Sequence, residues 1–221
     1  EHVAANPTAW FKQLVDLDLA AAPFVPLGVE AQVFSGDYDG NGKTLSALTI
    51  SEPTSTRPTG LFRQVSGKVH DLVVEGASVT GNNYSGTIAG RSNSGTIEDI
   101  TVVDGDIIAK ASAGGIVGHN FGGALRRVAF AGSVYSSADG TNILGRGGEN
   151  LDAGAGGITG ISYDGTVSDC VVDADVTWSP TGPGQVPAWT FAGGVVAYAP
   201  GATFERCTTS GPINGYYAVG G

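Results

Sequence analysis

Three groups of residues in this 221-residue chain have the types and spacing to do chemistry. The first is Asp37-Tyr38-Asp39-Gly40-Asn41-Gly42, which spaces Asp37, Asp39 and Asn41 as the first half of a calcium loop does, with oxygens able to surround a hard cation. Such a loop takes a bidentate Glu at its twelfth position, where this chain has Leu48, and Asp-Gly and Asn-Gly also form plain turns. The second group is split between two stretches: Asp139, Arg146, Glu149, Asn150 and Asp152 in one, Trp178, Gln185 and Trp189 in the other. Indoles stack on sugar rings, and paired acids serve as general acid and base; the same indoles can instead pack their loops onto the body of the protein. The third is Cys170 with Cys207. Neither a Ser/His/Asp arrangement nor a zinc-ligand spacing accompanies them, and His2 and His119 stand without a partner pattern.

What must position these groups is a repeat. A ladder of apolar residues at offsets of about 0, 3, 5 and 9 or 10 returns six times. It runs through Leu45, Leu48, Ile50; Val69, Leu72, Val74, Val79; Ile97, Ile100, Val102, Ile107; Leu125, Val128, Phe130, Val134; Val167, Cys170, Val172, Val176; and Phe204, Cys207, Thr209, Ile213. The offset of 3 breaks strict alternation, so the backbone turns there, whereas the offset of 2 keeps two residues on one strand face. Before five of the ladders stands a short strand entered through a small residue, as in Gly114-Gly115-Ile116-Val117 and Gly193-Gly194-Val195-Val196, the mark of a corner too tight for Cβ atoms. Equivalent residues recur at one phase, which stacks like on like in parallel strands; a sandwich or up-down barrel would need hairpins and alternating direction. The expected fold is all-β: a parallel β-helix, or β-solenoid, of about six coils and right-handed sense.

Residues 1–30 carry no such repeat. Trp10, Phe11 and Leu14 can share one face of a helical turn, and Val15 to Leu19 alternates as a strand; together they are expected to cap the first coil. Residues 31–221 form the solenoid, as one structural unit with the cap. Its coils are lengthened twice, at 137–153 and 177–190, and both insertions leave just after the last ladder residue, Val134 or Val176. Stacking should therefore bring them side by side on one edge, where the second group of residues lies.

The same stacking places Cys170 directly under Cys207, a geometry open to a disulfide or to two buried thiols. It also creates surface columns, Asp71, Asp99, Arg127, Asp169, Arg206 beside His70, Glu98, Arg126, Ser168, Glu205, the first alternating in sign over its last four coils.

A formal charge of −10, from 11 Lys and Arg against 21 Asp and Glu, repels phosphate backbones and anionic membranes, so no nucleic-acid partner is expected. No apolar run approaches the roughly 20 residues of a membrane span, and EHVAANPTAW lacks the pattern of a signal peptide.

The pieces SGDYDGNGKTLSALTI (35–50), TGLFRQVSGKVHDLVVEGASVTG (59–81) and AGGIVGHNFGGALRRVAFAGSVYS (113–136) resemble the GLUG-type repeats of large bacterial surface and secreted proteins. Residues 16–19 followed by Pro26-Leu27-Gly28 resemble the lead-in that precedes such repeats. The resemblance implies an extracellular or cell-surface setting and says little of chemistry. Val219-Gly220-Gly221 looks like the opening of a further coil, as in a fragment of a longer solenoid. The reading that follows is a non-enzymatic module, adhesive or spacer, binding glycan or protein through its insertion edge. A carbohydrate-active enzyme and a subunit self-associating end to end are the alternatives.

Overall fold

The computed structural model describes residues 2–28, 32–137, 153–179, 190–215 and 218–220. Its strands run parallel in three sheets, and in the second to fifth coils each turn of the chain lays one strand or strand pair on all three. The third coil shows the plan: Thr96–Ala109 lies in the long sheet, Ser112–Gly114 in the second and Val117–Phe121 in the third. Asp37–Ser46, Lys68–Glu75, Thr96–Ala109, Ala124–Ser136, Thr166–Ser168 and Thr203–Glu205 open six successive coils along the long sheet. The chain is a parallel β-helix.

Branched apolar residues form its interior because they stack on their own kind at one strand spacing. One column is Tyr38, Val69, Ile97, Leu125, Val167 and Phe204; a second is Leu45, Val74, Val102, Phe130, Val172 and Thr209; a third is Ile50, Val79, Ile107, Val134, Val176 and Ile213. From Val69 to Val176 the members of these columns are essentially solvent-free, each worth about 1.5–3 kcal/mol of apolar burial.

The offset of 3 has a specific cause. Asn41, Asp71, Asp99, Arg127, Asp169 and Arg206 all lie at φ between 49° and 56°, so each coil turns through a left-handed residue at that point. The glycine corners are as close as their sequence implies. A Cβ on Gly115 would stand 2.2 Å from the carbonyl oxygen of Gly157 and 2.4 Å from the Phe130 ring, so the second sheet passes directly over the core without side chains between.

Two expectations are corrected. Trp10–Lys12 is a strand paired with Asp37–Asp39, not a helical turn; with Leu17–Asp18 on Leu45–Ser46 it forms a partial coil beneath the first, as edge strands must if they are to satisfy the donors below them. The helix, His2–Ala5, is upstream. The first ladder is also displaced: Tyr38, not Leu45, pairs with Val69, and Leu45 pairs with Val74. Asn41 and Gly42 at positive φ bulge the strand between Asp39 and Lys43, adding residues that the apolar spacing does not count.

Candidate functional site

The two insertions share an edge. Ser136 pairs with Trp178 where they leave the coil, and Ala153 pairs with Thr190 where they return. In the third coil the same crossing, from Ala109 to Ser112, takes only Lys110 and Ala111. Asp139, Arg146, Glu149, Asn150, Asp152, Gln185 and Trp189 lie outside the described residues. Trp178 lies within them, and of the two readings open to it, sugar platform or packing onto the body, its place fits the second. It is 3% exposed and packs in the core at the root of the second insertion, its indole N–H without a partner among the described residues. A tryptophan that ends a core strand points inward by the alternation of that strand.

Beside these roots the structure brings together rings that the sequence had scattered. Phe191, the second residue after the return, stacks on Tyr198 at 5.3 Å with planes 8° apart. Tyr198 meets Tyr163 at 6.0 Å, Tyr163 meets His119 at 5.6 Å, and His119 meets Tyr84 at 4.8 Å. Phe121 joins at Tyr163, with the Arg91 guanidinium over its face at 5.9 Å. Phe and Tyr of this column are half-buried, each keeping part of its ring in water. His119 is 6% exposed, and burial, with Arg91 adding like charge, pushes its pKa down to about 3. The sequence signal was there, an aromatic or His in the third-sheet strand of the third, fourth and fifth coils, but only the fold sets Tyr84 and Phe191 of the second sheet against them.

The calcium-loop residues are wired as a turn. Asp39 accepts the Asn41 backbone N–H at 2.7 Å and the Lys12 ammonium at 2.9 Å, while the Asn41 amide donates to the Gln13 carbonyl. Lys12 holds the Asp39 carboxyl below its ordinary range. Asp37 turns to His70 of the next coil, 3.0 Å from Nε2, and Asp71 lies 2.6 Å from Nδ1. Ligand atoms of Asp39, His70 and Asp71 lie within 4.8 Å of one another. The spacing placed His70 in a surface column but not beside Asp37 and Asp39, because the bulge displaces the first coil against it.

Cys170 and Cys207 are free thiols, one buried and one half-buried. Burial, then the neighbouring Cys207, pushes the Cys170 thiol up, away from the thiolate that chemistry would need. The charged columns fall in register as expected: Lys68 meets Glu98 at 2.8 Å, and Arg127 reaches both Glu98 and Asp99. Exposed pairs of this kind fix register more than they stabilise.

No family model matches the chain. Over 89 residues it is 39% identical to Halomucin of Haloquadratum walsbyi, a match that takes in 39% of this chain and 1% of that protein. A crystal structure from Bacteroides ovatus, provisionally named an immunoglobulin A1 protease, superposes with a TM-score of 0.57 over 99% of this chain and 81% of its own, at 15% identity. That likeness is one of fold. It carries no residue of a protease to this chain.

Proposed function

We propose that the protein is a non-enzymatic β-helix module of a secreted or cell-surface protein, and that it binds glycan through the edge from which its two insertions leave. The observation that carries this is the ring column Tyr84, His119, Tyr163, Tyr198 and Phe191, which begins next to Thr190, where the second insertion returns, and runs down the coils. The half-exposed Tyr and Phe rings of this column, spaced along a rigid stack around the buried His119, suit a linear ligand of repeating apolar faces, as sugars are, and lose little entropy on binding. The local likeness to Halomucin supports a surface or secreted setting. An adhesive or spacer role in a longer polypeptide follows from the same reading, and a repeat of GLUG type is consistent with it.

The test is a panel of neutral and acidic polysaccharides and mucin-type glycans immobilised for binding, with reducing ends assayed in parallel. Binding without release of reducing ends, weakened about tenfold or more by Tyr198→Ala or Trp189→Ala, is the expected result. Steady release of sugar would instead favour the enzyme reading, with Asp152→Asn as the variant that locates it.

A further inference from the structure

Among the described residues Lys12, Arg63, Lys68, Arg127 and Arg206 each grip a carboxylate. Arg91 grips none of those described. It stands in the third sheet, paired on one side with Gln64 and on the other with His119, and its guanidinium lies over the Phe121 ring at 5.9 Å. Its column, Gln64, Arg91, His119, Ile161 and Tyr198, holds no acid, and neither does the neighbouring Asn93, Phe121 and Tyr163. A charge with no counter-charge in the adjacent coils does nothing for register, the use to which Arg127 and Arg206 are put on the long sheet. Beside Arg91 is a second unmet group. Arg91 Nε and both nitrogens of His119 are buried with no hydrogen-bond partner among the described residues, and His119, 6% exposed, sits between the Tyr84 and Tyr163 rings. Polar atoms held in this way favour a ligand that pairs them.

We infer that the sugar taken by the ring column is a uronate, its carboxylate on the Arg91 guanidinium and its apolar face on the rings beside it; this rests on the glycan reading of that column. The arginine fork matches a planar carboxylate and forms paired, charge-assisted hydrogen bonds with it, which a neutral hexose does not return. His119 adds a demand of its own. Burial keeps its imidazole neutral, so one ring nitrogen donates and the other accepts. A uronate sets its carboxylate beside ring hydroxyls, acceptor next to donor, and so has a partner for each nitrogen. The imidazole lies under half-buried tyrosine rings, and a rotamer change of one of them, common where a ligand docks, opens it. The chain's charge of −10 repels such a ligand at a distance, but at physiological ionic strength that repulsion is screened beyond about 8 Å, and the carboxylate meets Arg91 inside that range.

Alginate and hyaluronan test this, each in its native form and after its carboxylates have been reduced to alcohols, with affinity for the 221-residue chain read by titration calorimetry. The native form of at least one should bind about tenfold or more tighter than its reduced form. Arg91→Gln should abolish that difference and leave affinity for the reduced polymer unchanged, whereas Tyr198→Ala should weaken both. Arg91→Lys, which keeps the charge without the fork, should fall between. A thermal transition confirms that each variant folds, and the comparison of native with reduced polymer needs no variant. Equal binding of the two forms, a preference that survives Arg91→Gln, or binding confined to neutral polysaccharides would overturn the uronate assignment and leave the glycan reading intact. Dextran sulfate bound as tightly as the native uronate polymers would overturn it too, since charge alone would then be read. No binding to any polysaccharide would overturn both.

Discussion

Arg127 grips Asp99 of the coil below with two hydrogen bonds, Nε to Oδ1 at 2.7 Å and Nη2 to Oδ2 at 2.8 Å, and both residues are left-handed, at φ 49° and 56°. This turn, like the one where Arg206 grips Asp169, is thus held twice, by a backbone conformation and by a charged clasp between neighbouring coils. Asp and Asn tolerate this conformation because their short side chains bond locally; a β-branched residue does not.

The first prediction separates these contributions. Asp99→Val should destabilise the fold by about 2 kcal/mol, since it adds left-handed strain to the loss of the clasp, while Asp99→Asn should cost less than about 1 kcal/mol. Urea denaturation measures both. Equal costs would show that backbone conformation plays no part in this turn.

The two cysteines offer a second. Cys170 is 1% exposed and its thiol is pushed up by burial, whereas Cys207 is half-buried beside an open cavity. Iodoacetamide at mildly alkaline pH should label Cys207 and leave Cys170 untouched until the protein is denatured, as mass spectrometry will read. Equal labelling, or a linked pair resistant to alkylation, would contradict the thiol arrangement.

His119 gives the third. Its folded pKa of about 3 lies below the unfolded 6.5, so between those values the unfolded chain binds more protons and stability falls as pH falls. The slope is about 1.4 kcal/mol per pH unit. Thermal denaturation between pH 7 and 5, above the main carboxylate titrations, should show this loss, and His119→Phe, which keeps a ring between Tyr84 and Tyr163, should flatten it. The depressed pKa values of Glu52 and Asp99, both held down by arginines, add a further loss in the same direction only at lower pH.

Much of the architecture was legible because a stacked fold writes itself into the sequence as a period. The columns through Val69, Ile97, Leu125 and Val167 needed only the recognition that equal phase means equal place. The first coil was not legible in the same way. The bulge at Asn41 and Gly42 inserts residues without apolar content, so the spacing slid to Leu45, and with it went the encounter of Asp37 and Asp39 with His70. For Trp178 composition left two readings open, a sugar platform or an indole packed onto the body, and strand alternation from Val176, which sends it inward, favours the second. The ring column lay beyond reach, because Tyr84 and His119 are 35 positions apart on different sheets and only the closeness of those sheets across the glycine corners joins them.

The account stands most directly on one replacement. Residues 137–153 can be exchanged for the two-residue crossing, Lys110-Ala111, by which the third coil joins Ala109 to Ser112, because Ala109 pairs with Ser136 and Ser112 with Gly154. The shortened protein should keep the circular dichroism and cooperative thermal transition of the parent and lose its affinity for immobilised glycan by tenfold or more. Full glycan binding by a folded, shortened chain would contradict the assignment of function to the insertion edge.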